Sequence, residues 1–188
     1  NYAKLIKLTL IVVTSTVMFS CSDDDAPQNN SIAGIASRTE NLSILVDALE
    51  RTDLVETLDG SGSFTVFAPT NAAFTTFLSA NGYANLDAVP TAALKEILLN
   101  HVVSGTNLST SLSTGYIKTL AKGSASSTNT LSMFVNTSSG VRLNGVSSVT
   151  SADVVASNGV VHIVDAVIGL PTVVTHETGN PNYSSLVA

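Results

Sequence analysis

Apolar residues recur at helical spacing through the region that begins at Ser31. A short pattern starts there, a second runs over 42–49, and Asp53 stands where it can cap a third over 54–58. The Asp-Gly-Ser-Gly stretch at 59–62 then ends the helical pattern. The spacing therefore predicts a group of short helices at the start of the domain.

Two more helices are predicted further along the chain. One follows Pro69, with Thr70 or Asn71 as its cap. The clearest amphipathic pattern spans 91–103, and its apolar face carries Leu94, Ile97, Leu98 and His101. A histidine on an apolar helix face more often bonds to a backbone group than to a ligand, so we interpret His101 as structural.

Strand patterns precede and follow these two helices. The segment 64–68 is apolar at both alternating sets of positions, which is typical of a strand covered on both faces. After residue 104, short apolar runs are separated by Gly, Ser and Asn turns, and they lie at 116–120, 131–135, 141–143, 149–156 and 160–168. Asn158-Gly159 between the last two runs predicts a hairpin. Because helices come first and strands later, the order predicts an α+β fold rather than alternating βαβ units.

The N-terminal segment has the parts of a targeting signal. Lys4 and Lys7 supply positive charge, and 8–20 is an uncharged, mostly apolar run of 13 residues. A membrane-spanning helix needs about 20 such residues, so we predict a removed signal peptide over 1–20. Its end resembles that of a bacterial lipoprotein signal, where a small residue precedes a cysteine that becomes the lipidated first residue. The resemblance implies lipidation at Cys21 and membrane contact through that lipid anchor.

An acidic and polar tether is predicted over 21–30. Asp23, Asp24 and Asp25 follow the cysteine, and such a run of like charges stays solvated and extended. The run also resembles the acidic export signal of Bacteroidota lipoproteins, which directs them to the outer face of the outer membrane. The two interpretations are compatible. Together they give the expected localisation, which is lipid-anchored in the outer membrane and facing the cell exterior.

Composition narrows the classes of partner and chemistry. The chain has 188 residues, with 8 Lys and Arg against 14 Asp and Glu, and its net charge of −6 excludes the basic footprint of a nucleic-acid binder. Its single cysteine excludes an internal disulfide. No zinc spacing or EF-hand loop occurs, so we expect neither a metal nor a cofactor. Serine and threonine make up 47 residues, which indicates a polar but weakly charged surface.

Two segments resemble the signatures of the fasciclin domain family. The first is 65–74, TVFAPTNAAF, and the second is 158–168, NGVVHIVDAVI. Between them the family carries a Tyr-His pair where this chain has Asn100-His101, so the adhesive role of that pair in animal members is not carried over. The resemblance covers 31–171. It implies the family's fold, a seven-stranded β wedge packed with several α-helices, which agrees with the α+β order.

The resemblance also identifies a set of motif residues, which we interpret as mainly structural because their segments are apolar, turn-forming or helix-capping. They are Thr65, Phe67, Ala68, Pro69, Thr70, Asn71, Phe74, His101, Asn158, Gly159, His162 and Asp165. No catalytic residue is expected. His162 and Asp165 are three apart on one strand and so face opposite sides, and the serines of 60–63 lack the spacing of a nucleophile elbow. The ligand surface is expected on the hydroxyl-rich loops 104–115 and 123–130.

The C-terminal segment 172–188 carries a short internal repeat. An offset of 141 residues aligns 41–46 with 182–187, and four of the six positions are identical. Our hypothesis is that this tail begins a second copy of the domain. His176, within the tail, is expected to be exposed.

These inferences favour a non-enzymatic adhesion or extracellular-matrix interaction module, lipid-anchored at the cell surface. The family resemblance implies partners of protein or glycan type in the extracellular matrix or on other cells, bound through surface loops. The alternative is a glycan-binding accessory lipoprotein in polysaccharide capture. Aromatic residues make up 5% of the chain and Trp is absent, so a sugar-stacking platform would rest on side chains such as Tyr83 and Tyr116. Enzymatic activity is kept only as a residual alternative.

Overall fold

The computed structural model describes residues 29–124, 126–180 and 182–183. The predicted signal peptide, Cys21 and the acidic run lie outside the described residues. Six helices occur in the described part: α1 Ile32–Arg38, α2 Ser43–Arg51, α3 Val55–Asp59, α4 Asn71–Ala80, α5 Thr91–Leu99 and α6 Val173–Gly179. Seven strands accompany them: β1 Phe64–Pro69, β2 Val102–Ser104, β3 Gly115–Lys118, β4 Ser132–Asn136, β5 Arg142–Leu143, β6 Ser147–Ala156 and β7 Gly159–Val164. The α+β prediction is confirmed.

The seven strands form one mixed sheet in the order β2-β1-β7-β6-β5-β4-β3. The β1–β7 pair is parallel and the other pairs are antiparallel. The two outer strands approach each other, because Val103 and Thr119 form an isolated bridge and the Leu120 N–H donates to the Val102 carbonyl at 2.8 Å. The sheet therefore curves round and brings its edges together. No helix in the described ranges is long and apolar enough to cross a bilayer.

Strand β1 lies at the centre of the core, and both of its faces are covered. Val66 and Ala68 belong to the apolar cluster that the helices cover, while Phe67 belongs to a second cluster against the strands on the other side. All three side chains are at most 3% exposed. This burial on both faces explains why the strand carries no alternation of apolar and polar residues.

Strand β1 leads directly into helix α4. Pro69 ends the strand, and the Thr70 hydroxyl accepts a hydrogen bond from the Ala73 N–H at 3.2 Å, so Thr70 is the cap. Asn71 has a different role. Its amide oxygen accepts the Ile44 N–H at 2.9 Å and its nitrogen donates to the Ser43 hydroxyl, which fastens the start of α2 to the start of α4.

Three predicted features differ from the structure. Helix α5 ends at Leu99 instead of 103, because the next apolar residues pair with β1 as strand β2. Asp53 does not cap α3; it takes a left-handed conformation with φ of 56°, and Leu54 occupies the cap position. Strand β7 ends at Val164 rather than 168, so Asp165 lies beyond the strand. In each case a tertiary contact or a local turn overrides the pattern in the sequence.

Helix α6 packs against the turn between β5 and β6. A Cβ atom added at Gly179 would lie 2.7 Å from the carbonyl oxygen of Asn144, so the two backbones are in direct contact. The His176 ring packs edge-on against Tyr116 with 5.5 Å between ring centroids, and the side chain is half-buried. The expectation that His176 is exposed is therefore wrong.

Helix α6 also bears on the internal repeat. The offset of 141 maps α6 and its cap Thr172 onto α1 and its cap Ser31. The tight face of α1 does not recur, because Gly34, where an added Cβ would lie 2.0 Å from the Asn29 oxygen, corresponds to Thr175. A second copy of the domain and the boundaries 31–171 and 172–188 stay predictions.

Candidate functional site

The two signature segments meet as the parallel pair β1–β7. Phe64 lies opposite Gly159, and the register runs without a break to Pro69 opposite Val164. Gly159 has φ of 148°, and a Cβ added there would lie 1.9 Å from the Phe64 carbonyl oxygen. No other residue fits this position without moving the strand, since only glycine combines that dihedral with that approach.

Asn158 joins the β6–β7 hairpin to the helical layer. Its side-chain oxygen accepts the Ile32 N–H at 2.9 Å, and its nitrogen donates to the carbonyls of Leu58 and Gly60 at 2.7 and 2.9 Å. One side chain thus satisfies groups at the start of α1 and the end of α3. The Asn-Gly pair is a hairpin turn, as predicted, and also a clamp between layers.

Thr65 ties β1 to the loop that follows β2. Its hydroxyl donates to the Gly105 carbonyl at 2.7 Å and accepts the Asn107 N–H at 2.8 Å. The residue is fully buried. The first part of the 104–115 loop is therefore held inward rather than left free for a ligand.

His101 bonds to two backbone groups. Nε2 accepts the Ile168 N–H at 2.9 Å, so the proton resides on Nδ1, which donates to the Ile97 carbonyl at 2.8 Å. Burial lowers the pKa of His101 to about 4, against a smaller opposing effect of the bond to Ile97. The imidazole is neutral at physiological pH and joins the end of α5 to the segment after β7.

His162 is held in the same way on the opposite side of β1. Nδ1 accepts the Asp153 N–H at 3.1 Å, and Nε2 therefore donates to the Asn107 carbonyl at 2.9 Å. The ring stacks on Phe67 with 5.4 Å between centroids. Asp165, three residues further along the chain, is not a hydrogen-bond partner of this ring in the described structure. Its carboxylate instead accepts the Ser148 N–H at 2.7 Å.

Asp153 is the residue that sequence reasoning missed at this site. It sits in an irregular stretch of β6 with φ of 61°, and its carboxylate lies 3.9 Å from His162 Nδ1. The carboxylate accepts both the hydroxyl and the N–H of Ser109, at 2.5 and 2.7 Å, and these bonds hold the pKa of Asp153 below its ordinary value. An Asp inside a run of strand residues is the only sequence signal of this bulge.

The Ser109, Asp153 and His162 cluster does not have the connectivity of a hydrolase. The Ser109 hydroxyl donates to the carboxylate and not to the imidazole, and backbone groups occupy both nitrogens of His162. General-base activation of a serine needs a direct serine-to-histidine bond. In the described ranges no group of three or more His, Cys, Asp or Glu side chains could hold a metal ion. The cluster fastens a loop to the sheet.

One open groove lies beside the turn that follows α3. This Gly60 groove has a volume of about 680 Å³ and is lined by 59–63, Thr106 and 155–159. Asp59 is its only ionisable lining residue. Hydrogen bonds from Ser31 and then Asn29 lower the pKa of this carboxylate, and both bonds go to its Oδ1 atom. Hydroxyl and backbone groups share the lining of this groove with the exposed apolar side chain of Val155.

A second groove lies at the far end of the sheet. This Arg142 groove has a volume of about 280 Å³, and its lining residues are Asn136, Ser138, Ser139, Gly140, Val141, Arg142, Ser148 and Val149. Of the loops predicted to carry the ligand surface, 104–115 contributes only Thr106 to these two grooves, and 123–130 contributes nothing. The β4–β5 loop was not singled out from the sequence because its composition resembles that of the other loops.

Comparison with known protein families identifies the family of this chain. The model of the Fasciclin domain matches residues 40–171, which include β1, β7 and both buried histidines. The chain belongs to the Fasciclin domain family.

Several relatives share this domain. Protein sll1483 of Synechocystis sp. (strain ATCC 27184 / PCC 6803 / Kazusa) is 37% identical over 154 residues, which is 82% of this chain and 79% of that protein. Human Periostin is 28% identical over 73% of this chain, and human Stabilin-1 is 30% identical over 86% of it. The fasciclin chain spans only 16% of Periostin and 6% of Stabilin-1.

Among solved structures, the chain is similar to a FAS1 domain pair from the insect cell adhesion molecule Fasciclin I. The sequence identity is 22% and the TM-score is 0.44, over 77% of this chain and 47% of that chain.

Proposed function

We propose that this fasciclin domain is a non-enzymatic attachment module, displayed on the outer membrane and binding matrix or cell-surface partners. Membership of the family, with relatives such as Periostin and Stabilin-1, supports an adhesion-type role. The observation that carries the proposal is that the buried polar side chains of the motif residues bond to groups inside the fold. Because Thr65, His101 and His162 all bond to backbone, partner contact falls to the surface grooves and loops.

The anchor in this proposal is a lipid on Cys21, followed by the 21–30 tether. Removal of 1–20 takes away Lys4 and Lys7, so the mature chain is more acidic and does not bind anionic lipid by charge. Acyl chains supply about 0.8 kcal/mol for each buried CH₂ and overcome this repulsion. Metabolic labelling with a fatty-acid probe is expected to mark the wild-type chain and not Cys21→Ala. Equal labelling of both would contradict the anchor.

Attachment is tested on whole cells. A strain lacking the gene is expected to adhere less to matrix-coated surfaces or to its own biofilm, and the wild-type gene restores adhesion. Cys21→Ala is the matched control, because it leaves the domain sequence intact and removes only the anchor. Unchanged adhesion of the deletion strain over several surfaces would contradict the proposed function.

A second candidate is a glycan-binding accessory protein for polysaccharide capture. The hydroxyl and backbone groups that line the Gly60 groove favour it, because sugars are bound through such groups. Growth on a polysaccharide as sole carbon source separates the two. A capture protein is needed for that growth and not for adhesion, whereas an attachment module shows the reverse.

A further inference from the structure

Three strands place a row of polar side chains on one face of the sheet at the Arg142 groove. Asn136 on β4 lies opposite Arg142 on β5, and Arg142 lies opposite Ser148 on β6. Directly opposite residues have Cβ atoms about 5 Å apart and share a face. All three line the groove, so strands rather than a loose loop hold its floor.

Arg142 differs from the two other arginines of the chain. Arg38 donates to the Asn29 carbonyl and the Asn30 side chain, and Arg51 donates to three backbone carbonyls at 86–89. Within the described residues, the guanidinium of Arg142 has no hydrogen bond and no ion pair. Its five N–H donors are available to a ligand, and carboxylates and phosphates are the groups that match their planar fork.

The rest of the groove presents side-chain groups that can donate to an anion. The Asn136 side-chain oxygen already accepts the N–H and the hydroxyl of Ser138, at 2.9 and 2.7 Å, which leaves its NH₂ group as the free part. Arg142 is the only charged residue among the lining side chains that the structure describes, and the whole chain carries −6. Asp165 is not a lining residue, but its carboxylate accepts the N–H of the lining residue Ser148, so the positive partner for an anion is Arg142 itself rather than a wider basic patch. Arg142 therefore offers an anionic group a partner on a protein that as a whole repels one.

We propose that the Arg142 groove binds the carboxylate of a uronic-acid unit in an acidic polysaccharide. The inference rests on the proposed function and deepens it by naming the partner class. Hydroxyls of Ser139 and Ser148 suit the hydroxyls of a sugar, while the half-buried Val141 and Val149 offer little apolar area to a peptide side chain. The volume of about 280 Å³ is just below the range of about 300–1,000 Å³ for small-molecule sites, so the groove suits a single sugar unit of a polymer.

The test measures binding of the full chain in detergent to polygalacturonate, with the methyl ester of the same polymer as the uncharged control. Arg142→Gln is expected to weaken binding at least about tenfold, as for a lost charge-assisted hydrogen bond. Lys122→Gln is the matched variant, since it removes an exposed positive charge outside the groove, and it is expected to bind within about twofold of wild type. Binding of wild type should weaken as salt rises.

A second variant guards against misfolding of the first. Ser139→Asp places a carboxylate on the exposed rim, where it repels the ligand, and should lose binding at an unchanged melting temperature. Equal binding by Arg142→Gln and wild type, equal binding of the methyl ester, or no binding of polygalacturonate would overturn the inference. Binding of polyglutamate with the same dependence on Arg142 would replace the sugar with an acidic protein and also overturn it. If adhesion of whole cells still depends on the gene, only the groove assignment fails; if it does not, the proposed function fails as well.

Discussion

Two regions of the sheet, the β1–β7 core and the β4–β5 end, use their polar side chains in different ways. In the β1–β7 core, Thr65, His101 and His162 are at most 2% exposed, and each bonds to at least two backbone groups of other segments. At the β4–β5 end, Asn144 and His176 each keep a buried nitrogen with no hydrogen-bond partner among the described residues. Arg142, exposed at the same end, also has no hydrogen bond or ion pair within the described part of the chain.

This contrast separates stability from recognition. Bonds made by a buried side chain to backbone fix the chain path and leave nothing for a ligand, because every donor and acceptor is used. Among the described residues, the exposed guanidinium of Arg142 contributes little to folding and keeps its capacity for a partner, whereas the unpaired nitrogens of Asn144 and His176 are buried and lower stability. The buried polar side chains of the signature segments are thus the ones least able to contact a partner, although Asn158 and Gly159 at the hairpin turn also line the Gly60 groove.

The largest effect is expected from Gly159→Ala in the β1–β7 core. The added methyl would lie 1.9 Å from the Phe64 carbonyl oxygen, so the parallel strands must separate, and the expected loss of unfolding free energy is about 5 kcal/mol. Gly169→Ala is the control, because nothing lies within 4 Å of its added Cβ. Urea unfolding measures both. Similar midpoints for the two variants would show that the β1 and β7 strands accommodate the methyl group. The β1–β7 core would then not be as rigid as the contrast with the β4–β5 end requires.

The next largest difference in unfolding free energy is expected between substitutions of His101 in the β1–β7 core and His176 at the β4–β5 end. His101→Leu leaves the Ile97 carbonyl and the Ile168 N–H unpaired inside the core, with an expected loss of about 4 kcal/mol. His176→Phe keeps the ring contact with Tyr116 and removes a nitrogen that has no partner in the described ranges, so the change should stay within about 0.5 kcal/mol. Chemical denaturation gives both values. A His101→Leu protein that keeps its stability but loses partner binding would place His101 in recognition instead.

Acid should weaken the β1–β7 core through His101. The unfolded chain takes up the proton near pH 6.5 and the folded chain only near 4, so the unfolded form binds more protons between these values. Stability should therefore fall by about 3 kcal/mol as the pH drops from 6.5 to 4. Asp59 and Asp153, whose pKa values are lowered, release their contributions only as the pH falls from about 3.8 downward.

Two measurements check the acid prediction. The imidazole NMR signals of His101 should titrate with a midpoint near 4 in the folded protein. Denaturant midpoints of wild type should fall across the same pH range, while those of His101→Gln fall less. A His101 midpoint near 6.5 would mean that burial does not oppose its protonation.

The smallest expected difference in stability is between alanine substitutions of two asparagines, one in each region. Asn71→Ala removes the acceptor for the Ile44 N–H at the start of α2 and should lower stability by about 1.5 kcal/mol. Asn136→Ala, at the end of β4, removes only the bonds to exposed Ser138 two residues on and should cost about 0.5 kcal/mol. Thermal unfolding of the two variants measures the difference. Equal losses would show that the β4–β5 loop supports folding as much as the signature does.

Much of the fold could be predicted from the sequence, because the signals for these elements come from residues close together in the chain. The cap at Thr70 and the Asn158-Gly159 hairpin follow from side-chain chemistry near each residue, and burial of β1 follows from its apolar run. The end of α5 was not predictable, because the apolar spacing continues through Val102 while pairing with β1 turns that residue into a strand. Local helix propensity does not include the pairing of Val102 with β1, which is distant in sequence.

The candidate sites were harder to predict for the same reason. Asp153 meets His162 only because a bulge gives it a left-handed conformation, and no spacing rule brings Ser109 to it across 44 residues. No sequence motif marks Arg142, because what distinguishes it is the absence of hydrogen-bond and ion-pair partners within the described part of the chain. A sequence shows which groups exist, but pairing decides which of them remain free.

The parallel pairing of β1 with β7 also governs the order in which the domain is made. Strand β1 emerges from the ribosome early, yet its central neighbour follows about 95 positions later. Until that neighbour arrives, Phe64 and Val66 have only short β2 beside them. Contacts between residues so far apart in sequence raise the contact order, which slows folding, so the last hairpin to be synthesised closes the core.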